Sequence, residues 1–373
     1  MQSNANILIV GGGIAGMACA IELSKIGAKV LLVDIDPNWR VYGTGITITG
    51  PTFRALRDIN LMDQVIAEGF ACRGVRTRTR EGMLLQEIVD IGLGPGIPYG
   101  GGILRPALHS ILAERVRSSN VEVRLGVTIE TIQVQDAGAE VSLSDGTTGK
   151  FDLIVGADGI SSKVRGMIAP ELQKPSFTGQ GAWRVLAPRP PELDMIEMYL
   201  SPKIKAGVTP LTEELLYMFV LTPEIDDSII SHEEQPKRLK QALAGFGGLI
   251  GTIRDGINSD SSIVYRPLKA LLVPKPWNRS CVVLIGDAVH STTPHLASGA
   301  GCAIEDAIVL VQELARHETI ELALQSFSER RFERCRDIVE TSVKLGEMEL
   351  SGASGEEQGR VYAQANDRLA QAI

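Results

Sequence analysis

Asn6-Ile7-Leu8-Ile9-Val10-Gly11-Gly12-Gly13-Ile14-Ala15-Gly16 reads as a buried strand that runs into a glycine turn and then a helix. Ile7 to Val10 is an unbroken apolar run, the pattern of a central parallel strand covered on both faces. Gly11, Gly13 and Gly16 have the spacing G-x-G-x-x-G. Gly11 permits the tight turn, Gly13 lets a pyrophosphate approach the backbone, and Gly16 lets the helix lie close to the strand. The helix opens with free N–H groups at the positive end of its dipole, so Ile14 and Ala15 are candidate phosphate contacts. Its body, Met17 to Ile26, closes at Gly27, a C-cap glycine. A second strand, Lys29 to Val33, leads into Asp34, which is placed to hydrogen-bond a ribose hydroxyl. Strand, turn, helix, strand and acid in this order predict a dinucleotide-binding α/β unit.

The chain has 373 residues, enough for two joined domains. A net charge of −8 argues against an electrostatic nucleic-acid surface. The five cysteines, Cys19, Cys72, Cys281, Cys302 and Cys335, are scattered and lack C-x-x-C spacing. That pattern implies buried thiols in a reducing, cytoplasmic compartment, with neither a disulfide frame nor a zinc site. The histidines show no metal-ligand spacing, so no metal is expected. Met1-Gln2-Ser3-Asn4 carries no basic segment, which speaks against a signal peptide, and no apolar run has the length of a membrane span.

Further along, Gly43 to Gly50 reads as a glycine-flanked strand alternating Thr and Ile. Helices are expected over Thr52 to Ile59 and Leu61 to Glu68, and two strands over residues 72 to 90. Pro95 to Gly102, rich in glycine and proline, reads as a loop. Pro106 then opens a helix to about Arg117. Strands follow at Val121 to Leu125, Ile129 to Gln135 and Glu140 to Leu143. Asp152 to Gly156 is a buried strand ending in Ala157-Asp158-Gly159. Between residues 176 and 270 strand-like runs dominate: Gly181 to Ala187, Ile196 to Leu200, Leu215 to Leu221 and Ile263 to Leu268, with a helix at about Pro236 to Gly245. They predict an antiparallel sheet in a second domain, and the boundary between two such domains is a usual place for a small-molecule pocket. Cys281 to Ile285 is again a buried strand, followed by Gly286-Asp287-Ala288-Val289-His290, Pro294 and Gly299-Ala300-Gly301. Helices close the chain at Cys302 to Arg316, Leu322 to Leu345 and Glu356 to Ala370, the charges of the last two forming a solvated face.

Three separated motifs then coincide: Gly11 to Gly16, Val155-Gly156-Ala157-Asp158-Gly159, and Gly286-Asp287-Ala288-Val289-His290. In this order and spacing the sequence resembles the class A FAD-dependent aromatic hydroxylases, relatives of para-hydroxybenzoate and salicylate hydroxylases, over nearly its whole length. The resemblance implies an α/β fold: a Rossmann-like FAD-binding domain with a parallel sheet, an antiparallel-sheet substrate domain and C-terminal helices. The expected division is 1–175 with 271–345 for FAD, 176–270 for substrate and 346–373 for a C-terminal helix, with about 70–103 contributing to the substrate side. It further implies bound FAD, NADH or NADPH as co-substrate, and O₂. One oxygen atom would be inserted into a small aromatic or N-heteroaromatic ring through a flavin C4a-hydroperoxide. The sequence leaves a homodimer open.

The resemblance also assigns residues. Gly11, Gly13 and Gly16 would face the pyrophosphate, Asp34 the adenosine ribose, Arg105 the phosphates and the Val127 backbone the adenine. Asp158 and Gly159 would touch both FAD and NAD(P)H. Asp287 would accept from the ribityl chain. Pro294 and Gly299, Ala300 and Gly301 would form the loop whose N–H groups meet the flavin pyrimidine. A glycine-rich helix start suits the negative charge of reduced flavin, since it offers donors and a positive dipole end without a side chain. Many relatives read Gly-Gln-Gly-Ala-Asn there; Gly299-Ala300-Gly301-Cys302-Ala303 lacks both amides, so only backbone contacts carry over.

Candidates on the substrate side are Arg184, which could fork to a carboxylate or phenolate, Tyr217, which could position a ring hydroxyl, and His295, which could move a proton. Thr47 and Thr49 lie where the early strand approaches the pocket, and His290 reads as structural. A same-fold flavoenzyme with other chemistry is the alternative: an epoxidase, a halogenase or a reductase. A non-enzymatic nucleotide-binding protein is the third reading. Trp39, Trp183 and Trp277 are far apart, so the tryptophan-rich motif of halogenases is absent.

Overall fold

The glycine turn sits on a six-stranded sheet ordered Asn278–Arg279, Val282–Leu284, Leu153–Gly156, Asn6–Val10, Lys29–Asp34 and Val121–Leu125. The strands pair in parallel except for the first pair, which is antiparallel. Ile7, Leu8, Ile9, Leu153, Ile154 and Val155 are fully buried, as strands covered on both faces must be. The computed structural model describes residues 5–41, 43–89, 92–172 and 174–373. The readings made for Met1 to Asn4, and for residue 90 at the end of a strand, lie outside the described residues.

The helix Ile14–Lys25 packs on this sheet and against the helix Gly299–Arg316. It buries small residues, Ala15, Gly16, Ala18, Cys19 and Ala20, so the two helix axes can approach closely. Gly16 is the tightest point: a Cβ there would lie 1.9 Å from the Gly11 carbonyl oxygen.

A second sheet of seven strands is ordered Ile263–Ala270, Ser176–Pro188, Leu215–Pro223, Lys205–Pro210, Ile196–Leu200, Gly74–Thr79 and Leu84–Val89. It is antiparallel except for one parallel pair, Ile196–Leu200 with Gly74–Thr79; within residues 176–270 every pairing is antiparallel, as the sequence implies. The parallel pair arises because a segment from far upstream docks on its edge. Alternate residues of Ser176–Pro188 point to opposite faces. Trp183 and Val185 enter a core with Val208, Met218, Val220 and Tyr265. Arg184 and Leu186 face the other way.

Pro95 to Gly102 is not all loop. Gly100–Leu104 is the central strand of a three-stranded sheet between Gly45–Thr49 and Phe70–Cys72. Its glycines mark close approach rather than a turn: a Cβ on Gly101 would lie 2.2 Å from the Phe70 carbonyl oxygen, and one on Gly102 2.3 Å from that of Pro210. Two further strands, Thr148–Phe151 and Lys205–Pro210, and the helix Gly248–Gly256 have no counterpart in the sequence reading. Each is short or broken by glycine or proline.

The C-terminal helices, Ile320–Ser351 and Gly355–Ala370, expose most of their charges, with Arg331 and Glu349 the buried exceptions to the expected solvated face. Arg331 is buried. It donates from Nε to Asp306 Oδ1 at 2.8 Å and from Nη1 to Glu305 Oε2 at 2.9 Å. Asp306 Oδ2 meets His290 Nε2 at 2.6 Å and accepts the Gly286 N–H at 2.8 Å. Burial opposes charge on Asp306, but His290 and Arg331 hold its carboxyl down to about 2. Arg331→Ala, which takes a buried guanidinium away from two buried carboxylates, is expected to cost about 3–5 kcal/mol in chemical denaturation. The stability Asp306 contributes is present above its unfolded pKa of about 4 and is lost as pH falls toward its folded value. Acid melting of the parent should therefore be steeper in that window than that of Asp306→Asn.

Candidate functional site

Two helix starts open toward one region. The helix Ile14–Lys25 has Gly13 as N-cap, with no side chain capping it and no acid in its first turn. A Cβ on Gly13 would meet nothing within 4 Å, whereas one on Gly11, at φ +106°, would lie 2.4 Å from the Ala157 carbonyl oxygen. Gly11 and Gly16 are thus glycines for packing, and Gly13 is glycine facing open space. The helix Gly299–Arg316 begins three residues earlier than expected, so Gly299, Ala300 and Gly301 form its first turn. Ser298 at its N-cap donates back to the Leu296 carbonyl at 2.8 Å and leaves these N–H groups uncapped. Gly301 is also a packing glycine, since a Cβ there would lie 2.4 Å from Thr52 Oγ1. Pro294 opens the short 3₁₀ turn Pro294–Leu296 just before this helix.

Asp34 ends its strand beside the glycine turn. Its Oδ2 accepts from Gly12 N at 2.7 Å and its Oδ1 from Asp36 N at 2.8 Å. Val127 N donates to the Asp34 carbonyl at 2.9 Å, which fixes the Val127 backbone beside the acid. Trp39, not singled out for the site from sequence, donates from its indole to the Gly12 carbonyl at 2.9 Å and packs edge-on against His109. Its distance of 27 residues from Gly12 hides it from motif reading.

Arg105 opens the helix Arg105–Arg117 and lies along Gly43, where a Cβ would come 2.7 Å from its Cδ. Its Nε is buried without a hydrogen-bond partner among the described residues. Asp287 opens the short helix Asp287–His290 behind Gly286, whose φ is +61° and where a Cβ would lie 2.9 Å from that of Ala15. Asp287 is exposed at its surface, yet desolvation by the surrounding protein pushes its carboxyl above the usual range, while His290 and Arg105 pull it back.

Asp158 has protein partners besides its expected cofactor role. Its Oδ1 accepts from Ser162 Oγ at 2.5 Å, and its Oδ2 accepts from Lys163 N at 2.7 Å and Val164 N at 3.0 Å. The carboxylate thus also holds the start of the helix Lys163–Ile168. Arg165 on that helix donates to the Ala288 carbonyl at 2.8 Å, so the mid-chain motif and the Gly286–His290 motif are tied to each other.

On the seven-stranded sheet, Arg184 lies diagonal to Tyr217, since Arg184 pairs with Phe219 and Leu186 with Tyr217. Enclosure lowers the Arg184 guanidinium to about 10, with Arg105 and Arg266 adding to the shift and Tyr217 opposing it. The Tyr217 hydroxyl bonds Thr47 Oγ1, and Thr47 bonds Thr209 Oγ1 at 3.2 Å. Thr209 sits directly opposite Tyr217 on the next strand. Tyr217 therefore joins the seven-stranded sheet to the strand Gly45–Thr49. Thr49 instead meets Thr52 at 3.0 Å.

His295 does not join this group as a proton carrier. Its Nδ1 meets Thr293 Oγ1 at 2.8 Å and its Nε2 meets Glu349 Oε2 at 3.1 Å, and its side chain is fully buried. Both ring nitrogens are taken. Burial lowers its pKa against the pull of Glu349. The substrate-side role expected for His295 is corrected to a structural one under the C-terminal helix.

Open backbone at Gly13, the Arg105 Nε without a partner among the described residues and the exposed Asp287 carboxyl fit the pyrophosphate and polyol of a flavin dinucleotide. The family described as FAD binding domain matches residues 4–342. The chain belongs to that family. It is a flavoprotein of the class A aromatic hydroxylase group, and FAD is its cofactor. YetM of Bacillus subtilis (strain 168) is 31% identical over 362 residues, covering 96% of this chain and 98% of that one. The 2-heptyl-3-hydroxy-4(1H)-quinolone synthase of Pseudomonas aeruginosa is 32% identical over 315 residues, covering 82% and 80%. In fold the chain is similar to Klebsiella pneumoniae HpxO solved with FAD and uric acid, with TM-score 0.83 at 20% identity over 99% of this chain and 93% of that one.

The glycines of the flavoprotein fingerprint separate by experiment. Gly13→Ala should fold normally and bind FAD more weakly, while Gly16→Ala should lower the melting temperature of apoprotein and holoprotein alike. Asp287→Ala removes an anionic acceptor, so FAD affinity measured by fluorescence quenching should fall roughly 10- to 100-fold.

Proposed function

We propose that this flavoprotein hydroxylates a small aromatic or N-heteroaromatic substrate that carries an acidic group. The observation behind this is Arg184: among the described residues its guanidinium has no hydrogen-bond or ion-pair partner, although enclosure presses on its charge. A guanidinium held this way at neutral pH is a ready partner for a carboxylate, phenolate or ring-nitrogen anion. Tyr217, fixed through Thr47 and Thr209, would orient the ring beside it. Tyr217 stands apart from the aliphatic core of the sheet, which argues against a purely packing role. The names of relatives support the class, since a quinolone synthase and 6-hydroxynicotinate 3-monooxygenase both point to N-heteroaromatic rings.

When bound, the flavin supplies the oxygen chemistry: reduced by NADH or NADPH, it activates O₂ and passes one atom to the ring. The chain's own residues bind and place. Gly299, Ala300 and Gly301 offer N–H groups and a positive helix end to negative charge on the pyrimidine. Arg184 favours the ionised form of the substrate, which makes the ring more nucleophilic without a dedicated protein base. The residue range 176–270, with the strands Gly74–Thr79 and Leu84–Val89, supplies the substrate side in this reading.

The test is nicotinamide oxidation and peroxide release followed together against hydroxybenzoates, phenols and hydroxypyridines. Substrate-stimulated oxidation with little peroxide is expected for one acidic class; no stimulation by any member would refute the reading. With the responding substrate, Arg184→Gln should raise KM roughly 10- to 100-fold, because a charge-assisted contact is lost. Tyr217→Phe should keep FAD bound and increase peroxide release per nicotinamide consumed.

A further inference from the structure

The first turns of the helix Gly299–Arg316 carry a group of side chains that oxygenation does not use. Cys302 on this helix and Cys335 on Ile320–Ser351 bring their Sγ atoms to 3.4 Å, against about 2.05 Å in a disulfide. Both are free and buried. Arg331 Nη2 lies 3.3 Å from Cys302 Sγ, and Asp306 Oδ1 lies 4.0 Å from Cys335 Sγ. A small cavity lined by Thr52, Ser298, Gly301 and Cys302 adjoins the pair. Cys19, Cys72 and Cys281 are buried elsewhere.

His290, Cys302, Asp306 and Cys335 place ligand-type atoms within 4.8 Å of one another, a convergence that sequence spacing hides. A cation is nonetheless already there. Arg331 donates to Asp306 and to Cys302, and Asp306 also serves Gly286 and His290. A metal ion would have to displace a guanidinium that is buried with its carboxylates. The arrangement suits thiol chemistry better: a sulfur beside a fixed positive charge, and a second sulfur in reach.

We propose that Cys302 and Cys335 form a reversible disulfide site, closed by hydrogen peroxide, at the helix start that faces the flavin. The Cys302 thiolate attacks one peroxide oxygen; the S–O bond forms, the O–O bond breaks, and the leaving hydroxide takes a proton to become water. The Cys335 sulfur then attacks the sulfenic sulfur; the S–S bond forms, the S–O bond breaks, and a second water leaves. Two thiols are oxidised and one peroxide is reduced to two waters. The two sulfurs differ in the required sense. The hydrogen bond from Cys335, with His290 and Arg331, holds Cys302 down to about 6 against its burial, whereas burial pushes Cys335 up. One is the nucleophile and the other the resolving thiol. Closure draws two helices together at the turn that presents N–H groups to the cofactor, so it reports on the flavin.

The experiment uses the full-length, FAD-loaded protein, reduced and desalted, without nicotinamide or substrate. Hydrogen peroxide is added in small molar excess, the protein is unfolded in an alkylating agent, and unreduced peptides are read by mass spectrometry. The expected result is a Cys302–Cys335 cross-linked peptide, with Cys19, Cys72 and Cys281 alkylated. It is accompanied by a shift in the visible flavin absorption that dithiothreitol reverses. Cys335→Ser should give no cross-link and a dimedone-trapped sulfenic acid at Cys302. Recovery of both cysteines alkylated in the wild-type protein overturns the proposal. So does a cross-link through another cysteine, or stoichiometric zinc whose removal by chelator is what exposes the thiols.

Discussion

One buried carboxylate holds the parts of this flavoprotein in register. Asp306 accepts from the backbone of Gly286, the ring of His290 and the guanidinium of Arg331. Its three partners come from the motif after the last sheet strand and from the long C-terminal helix. Because the group is buried, each missing partner would leave charge uncompensated, so the pairing is nearly all-or-none. It fixes where the helix Gly299–Arg316 starts, and therefore where its free N–H groups point.

A second constraint is steric. The helix Ile14–Lys25 can reach its sheet only because Gly11 and Gly16 bring no Cβ, and Gly286 fits against Ala15 for the same reason. Two uncapped helix starts thereby face one region from different parts of the chain. Asp287 lies near enough to Arg105 to feel its positive charge. Cofactor affinity in such a site comes mostly from backbone donors already in place, with little ordering left to do on binding.

The parallel sheet and its glycine turn were legible because buried strands and G-x-G-x-x-G spacing are local patterns. The helix around Gly299 was legible to within three residues. What was not legible depends on contacts between distant residues. Gly100 to Gly102 read as loop because the carbonyls that crowd them, from Phe70 and Pro210, belong to other strands. Arg331 read as surface because its acids lie 25 and 26 residues away. His295 read as a free acid–base group because its partner, Glu349, is 54 residues on. Asp158 read as a cofactor contact, and its spacing did not announce that its oxygens also accept from Ser162, Lys163 and Val164. Trp39 went unread for the site because nothing near it in sequence announces Gly12.

The strand Ser176–Pro188 separates two kinds of change. Trp183 and Val185 belong to the core of their sheet, while Arg184 and Leu186 project from its other face. In the proposed reading, substitution at Arg184 or Leu186 would retune which molecule is recognised, while Trp183 and Val185 keep the sheet intact. The residues proposed to hold the flavin lie on other elements altogether. Selectivity in this architecture can thus drift by single substitutions along one strand, leaving the oxygen-handling half as inherited.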